Sequence, residues 1–317
     1  MLRYIVRRLL ELVPTTIGIL MLTFVLFHVV GGSPALTVLG KNATKESIAA
    51  FNAKFGYDKP LLVNVKKGES LFDSQFFNFA KNLAKGDFGI STQYDEPVAD
   101  ILKRGVGPSL SLTVPILVGG TLVGLSLAML CAAFRGGWLD RTVLVCSTIL
   151  MSVNYVVWVL AGQFLLAFKA RLFPIWGYEN WTYLMLPVLI GIISSLGVDV
   201  RFYRTAVLDE IYKSYVRTAR AKGLSGATIL VKHVLRNSLI PIVTFIALAI
   251  PHLFTGSLML ETFFGIPGLG NVSLNAIHSA DMAVVRALVV LGALLYQGVN
   301  LITDLAYAWL DPRVRLG

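Results

Sequence analysis

The residues with most capacity for chemistry lie between Asp209 and Pro241, where Lys213, Arg217, Arg220, Lys222, Lys232 and Arg236 crowd one polar segment. Cations arranged in this way make no covalent bond; they attract anionic or hydrogen-bonding surfaces. The local code is specific. Tyr215 to Lys222 reads as a short helix, and Gly223 ends it in the left-handed conformation, with Leu224 packing back as the hydrophobic contact of the cap. Ser225 then caps a second helix. The result is a helix–glycine–helix elbow. Small Ala219 and Ala221 let a neighbour approach, and Arg217, Arg220 and Lys222 offer it charge. That suits a helix docking into a groove of another protein. A basic loop resting on anionic lipid fits the same residues.

Other reactive residue types do not assemble. Cys131 and Cys146 have no C-x-x-C neighbour and sit in or beside apolar runs, as small inert hydrophobes do. His28 and His252 have no metal-type spacing and read as hydrogen-bonded side chains. No G-x-x-x-x-G-K-S/T loop is present to cradle phosphates, so the chain has no ATPase site of its own. Ser, His and Asp residues occur, but no pattern places them together for hydrolysis. Asp199 and Asp304 fall in or near apolar runs and are functional candidates on that ground. The nearby Arg201 and Arg204 point to a structural ion pair for Asp199. Arg286 is a candidate to meet a substrate carboxylate, against the plainer role of an interfacial anchor.

The elements that must position these residues are membrane spans. Apolar residues make up 56% of the 317 positions and charged residues 15%, and the mean hydropathy is +0.71. A soluble chain carries about a quarter charged residues. In the N-terminal segment 1–30, Arg3, Arg7 and Arg8 precede an apolar run from Leu12 to Val30, which is expected to be an uncleaved first span. Residues 31–107 are polar and cannot span; short helices are expected at Lys45–Phe55 and Ser74–Leu83, with a turn at Gly86-Asp-Phe-Gly89. Further spans are expected near Pro108–Phe134, Thr142–Phe168, Tyr183–Phe202, Leu239–Glu261 and Met282–Leu310. The fold class is therefore an all-α membrane protein of about six transmembrane helices, with a polar insert after the first. Residues 108–317 form its core, and residues 207–237 form a loop on one face. Trp158, Trp176, Trp181 and Trp309 read as an interfacial belt. The formal charge of +10 follows topology. Arg135, Arg141, the 201–236 cluster, Arg313 and Arg315 all fall on the side of the N-terminus, which makes both termini cytoplasmic and the insert extracytoplasmic. No nucleic acid is needed to explain that charge.

Tyr215-Val-Arg-Thr-Ala-Arg-Ala-Lys-Gly-Leu224, followed by His233-Val-Leu-Arg-Asn237 and Pro241, resembles the EAA loop of ABC-importer permeases, and most of all their dipeptide/oligopeptide-type branch. Arg217, Thr218 and Ala219 match the E-A-A triplet, and Gly223 matches its glycine. The resemblance extends along the chain through Met1-Leu-Arg-Tyr-Ile-Val-Arg-Arg-Leu9, Phe55-Gly-Tyr-Asp-Lys-Pro-Leu61, Gly86-Asp-Phe-Gly-Ile-Ser91, Glu261-Thr-Phe-Phe-Gly-Ile-Pro-Gly-Leu-Gly270 and Asp311-Pro-Arg-Val-Arg315. Gly31-Gly-Ser-Pro-Ala35, Asp281-Met-Ala-Val-Val-Arg286 and the stretch between Val65 and Phe76 depart from it.

The resemblance implies a type I ABC importer permease in a bacterial cytoplasmic membrane, forming the path for peptides or related small solutes. It implies a coupling helix over Arg217, Thr218, Ala219, Arg220, Ala221, Lys222, Gly223 and Leu224 that sits in a groove of an ATPase subunit. The partners implied are a second homologous permease chain, two ATPase subunits, an extracytoplasmic substrate-binding protein and membrane lipid. No cofactor is expected on this chain; ATP and Mg would be used by the ATPase subunits. The rival class is an ion-gradient-driven secondary transporter, which would favour midplane acidic relays and inverted halves.

Overall fold

The computed structural model describes residues 2–30, 35, 39–40, 43–55, 57–62, 64, 73–255 and 257–310, with the backbone alone at 2–9, 28–30, 54–55, 251–255 and 304–310. His28, His252, Asp304 and Trp309 thus have no described side chain, and the 311–315 motif lies outside the described residues.

Helices dominate: α1 (Leu2–Phe24), α2 (Lys45–Phe55), α3 (Gln75–Ala84), α4 (Val98–Ala133), α5 (Trp138–Ser152), α6 (Tyr155–Gly162), α7 (Thr182–Ile211), α8 (Ser214–Ala221), α9 (Leu235–Thr255), α10 (Leu258–Phe264), α11 (Leu269–His278) and α12 (Met282–Leu310). Among the described residues, five helices are long and apolar enough to cross a membrane, and six spans result if the bent pair α5–α6 counts as one. The chain divides into two compact units, one from Met1–Gly105 with Val272–Gln297 and one from Val106–Asn271 with Gly298–Gly317.

In the first unit, α1 continues into a π-helical turn at Val25–Val30. Gln297 donates to the Leu12 carbonyl (2.9 Å) and accepts from Thr16 (3.1 Å), a polar link of the kind that joins apolar helices. Ser74 caps α3, as its side chain accepts from the Phe77 amide, and Phe76 meets Phe24 edge to face at 5.4 Å. Gly86 and Gly89 both take positive φ, with the Gly89 amide closing onto Asp87. Asp281 is fully buried: it accepts from the Ser91 hydroxyl (2.5 Å) and the Gln93 amide (3.3 Å), and caps α12 through the Val284 amide.

In the second unit, the observed helices depart from the expected hydropathy limits. The run expected as one span over Thr142–Phe168 is broken: α5 and α6 meet at 94°. Asn154 causes the break, because its side chain accepts from the Val156 amide and starts α6 afresh. The span expected over Leu239–Glu261 begins earlier, through Gly226–Thr228 and a π-helical stretch at Ile229–Val234, and α9 ends at Thr255. Glu261 lies instead in the separate α10. Helix α7 has 30 residues, about 45 Å of helix against a hydrocarbon core of about 30 Å, so it carries residues beyond the bilayer. Leu122, Phe134 and Ile302 are each more than half exposed, as lipid-facing residues are.

Candidate functional site

The elbow expected from the sequence is present. Helix α8 spans Ser214–Ala221, Lys222 is its C-cap residue, and Gly223 follows at φ +79°. The Gly223 amide donates to the Arg220 carbonyl (2.9 Å) and the Leu224 amide to the Ala219 carbonyl (3.3 Å). These paired bonds are those of the Schellman cap. Leu224 is 40% exposed, so it packs back less than expected. Ser225 restarts the chain, its hydroxyl accepting from the Thr228 amide at 3.3 Å.

One face of α8 is turned into the protein. Val216 and Ala219 are buried with Ala132, Val207, Ile229 and Val234 in a small apolar cluster. This corrects the reading of Ala219: its small side chain lets α8 approach its own chain. Arg217, Thr218, Arg220, Ala221, Lys222 and Gly223 are exposed on the other side. Tyr215 ties the start of α8 to the end of α7 by donating to Glu210 Oε2 at 2.7 Å. Burial, and then the bond to Glu210, pushes its phenol up to about 12, so it remains a donor at physiological pH.

The base beneath the elbow is also fixed. Arg204 of α7 forms a two-point ion pair with Asp140 of α5 (2.7 and 2.8 Å), and Asp140 also accepts from the Gly136 amide. The side chains are only 18% and 4% exposed. Two-point guanidinium–carboxylate geometry adds direction as well as energy. Arg135 stacks over the Tyr212 ring at 4.9 Å. Arg204 is therefore unavailable to Asp199, and Arg201 is exposed and points its guanidinium at the Met151 sulfur. The expected ion pair of Asp199 does not form.

Arg286 lies over the Phe79 ring at 5.4 Å, near Gly89, and is half-buried. Cys131 is buried and Cys146 exposed. Trp158 is half-buried against the core. Among the described residues, no group of three His, Cys, Asp or Glu side chains could hold a metal ion.

Sequence reasoning missed Glu261. It is fully buried in α10, and its carboxylate accepts from the Ser109 hydroxyl (2.8 Å), the Ser257 amide (3.1 Å) and the Asn271 amide (3.0 Å) at the start of α11. Gly268 and Gly270 make room for it: a Cβ at Gly268 would lie 2.5 Å from the Glu261 carboxyl, and one at Gly270 2.9 Å from Oε2. The Pro267-Gly-Leu-Gly270 turn is a cradle for a buried carboxylate. The signal was a carboxylate seven residues before a G-x-G, with nothing to show its partner at Ser109.

Comparison with known proteins bears on the whole chain. Residues 120–316 match the family described as binding-protein-dependent transport system inner membrane component. Residues 1–113 match the N-terminal model of binding-protein-dependent transport system membrane components. The glutathione transport system permease protein GsiC of Escherichia coli (strain K12) is 32% identical over 318 residues, covering 99% of both chains. Its counterpart in Shigella flexneri serotype 5b is 33% identical over 319 residues, again covering 99% of both.

Proposed function

The chain belongs to the family of binding-protein-dependent transport system inner membrane components, and from that premise we propose how it works inside its importer. It is the multi-pass permease subunit of a bacterial ABC importer; an ion-gradient-driven carrier is not favoured. In our reading the substrates are short peptides, since glutathione, a tripeptide, gives the relatives their name. Both termini and the 207–237 loop are cytoplasmic, and residues 31–107 face outward, as the Lys/Arg distribution supports.

The elbow is the coupling element. Arg217, Thr218, Arg220, Ala221, Lys222, Gly223 and Leu224 contact an ATPase subunit, while Ala219 holds α8 against the permease. The ATPase subunits bind ATP and Mg; this chain binds no cofactor. A second permease chain completes the path and an outer binding protein delivers the solute. When the ATPase pair closes on nucleotide, the docked elbows move, and the helix bundles shift from one access state to the other. Such transmission requires an elbow that does not yield. The observation that carries the proposal is its construction: a positive-φ glycine cap, an inner apolar cluster and an exposed basic face.

The test is disulfide or maleimide crosslinking in the assembled importer. Ala221→Cys, on the exposed face, is expected to be captured with the ATPase subunit. Ala219→Cys, on the buried face, is expected not to be. Capture of Ala219→Cys alone, or of neither while the subunits copurify, would overturn the docking assignment.

A further inference from the structure

Asp199 stands in the middle of the second unit without a charge partner. Among the described residues the salt bridges are Lys59–Asp73, Lys103–Asp100, Arg104–Glu96 and Arg204–Asp140, and none includes Asp199. A carboxylate on a membrane helix is costly, and it persists where it faces a partner or a polar cavity. Asp199 faces a cavity of about 440 Å³, within the range of small-ligand sites.

The surroundings of the carboxylate make room for it. Ser195, one turn earlier on α7, lines the same cavity, its hydroxyl donating to the Ile192 carbonyl at 3.0 Å. On α4, Gly120 and Gly124 carry no side chain and so leave room for Asp199 where the two helices come close. A Cβ at Gly120 would lie 2.9 Å from Ser195 Oγ and 3.4 Å from Asp199 Oδ2, and one at Gly124 would lie 3.2 Å from both Asp199 Cβ and Tyr203 Cε2. The hydroxyls of Thr121 and Ser194 also line the space, and Tyr203 and Phe245 wall it, their rings crossing at 87° with centroids 5.9 Å apart. One anionic group, several hydroxyl acceptors and aromatic faces together select a cation that can donate hydrogen bonds. A lone carboxylate is too few ligands for a divalent metal ion.

We propose that this cavity is a way-station for the transported solute, in which Asp199 receives a primary ammonium group, so that a peptide is held by its amino end. This rests on the permease reading above and adds which end of the solute this chain recognises. A free carboxylate end would be repelled from the same place.

The test uses the assembled importer in proteoliposomes with Cys131→Ala and Cys146→Ala, and Ser194→Cys as a reporter in the cavity wall. Alkylation of the reporter by a maleimide is timed with a free-amino dipeptide, its N-acetyl derivative, or sodium chloride alone. The free dipeptide is expected to protect the reporter and the N-acetyl peptide is not. Asp199→Asn is expected to weaken that protection about tenfold, as loss of one charged hydrogen bond implies, and Asp199→Glu to restore part of it. Equal protection by both peptides, protection by sodium alone, or full protection in Asp199→Asn would each overturn the proposal. Binding-protein-stimulated uptake is measured in parallel on the importer with all its native residues. If it persists while discrimination is absent, the ammonium site fails alone; if it is absent although the subunits assemble, the permease reading fails with it.

Discussion

Two helix ends in this chain are closed by the same backbone device in opposite surroundings. Gly223 ends α8 at φ +79° and Gly265 ends α10 at φ +68°. In each, the glycine amide and the next amide turn back to the helix: Gly223 to Arg220 and Leu224 to Ala219, Gly265 to Thr262 and Ile266 to Glu261. Around Gly223 a Cβ would meet nothing within 4 Å, whereas at Gly265 it would run into the Trp176 indole. The first cap is presented outward and the second is packed over. The cap itself only fixes a chain direction; what surrounds it decides whether that direction serves contact with another protein or internal assembly.

Four changes break or sharpen the contrast, in falling order of effect on stability. The exposed cap depends on a firm base, so Asp140→Ala, which strands Arg204, should cost about 3–5 kcal/mol. Thermal unfolding of the solubilised protein would read this, and Asp140→Ala with Arg204→Leu should recover much of the loss. Gly265→Ala comes next: the left-handed backbone costs about 1–2 kcal/mol, and overpacking against Trp176 adds about 1–3 kcal/mol. Adding Trp176→Ala should relieve the second part only; relief of both would mean the cap is not strained by its φ. Gly223→Ala should cost only the backbone share, about 1–2 kcal/mol, with no packing penalty, and Gly223→Asn less, since Asn tolerates positive φ. Ser225→Ala should cost about 1 kcal/mol, read as faster amide exchange over 226–229.

Much of the fold was legible because local codes and hydropathy acted alone. Lys45–Phe55 and Met282–Leu310 have the limits expected from composition. The elbow was legible because glycine and serine caps act within a few residues. The break between α5 and α6 was not, since hydropathy averages over the single Asn154 that caps the second half. Helix α4 begins at Val98 rather than Pro108, because helical hydrogen bonds continue past the point where hydropathy ends. Asp199 was misread by proximity in sequence. Arg201, two positions on, lies on another face of α7, and Arg204 is held by Asp140, which is 64 positions away. Glu261 could not be read at all, because the Ser109 hydroxyl that helps to bury it lies 152 positions away.

The claim that matters most is that the outward cap transmits force. It is tested by the ratio of peptide imported to ATP hydrolysed in proteoliposomes holding the whole importer, with Gly223→Val compared with Gly223→Asn. The account predicts a near-normal ratio for Gly223→Asn, and for Gly223→Val continued hydrolysis with little import. A normal ratio in Gly223→Val, with the subunits still assembled, would contradict it.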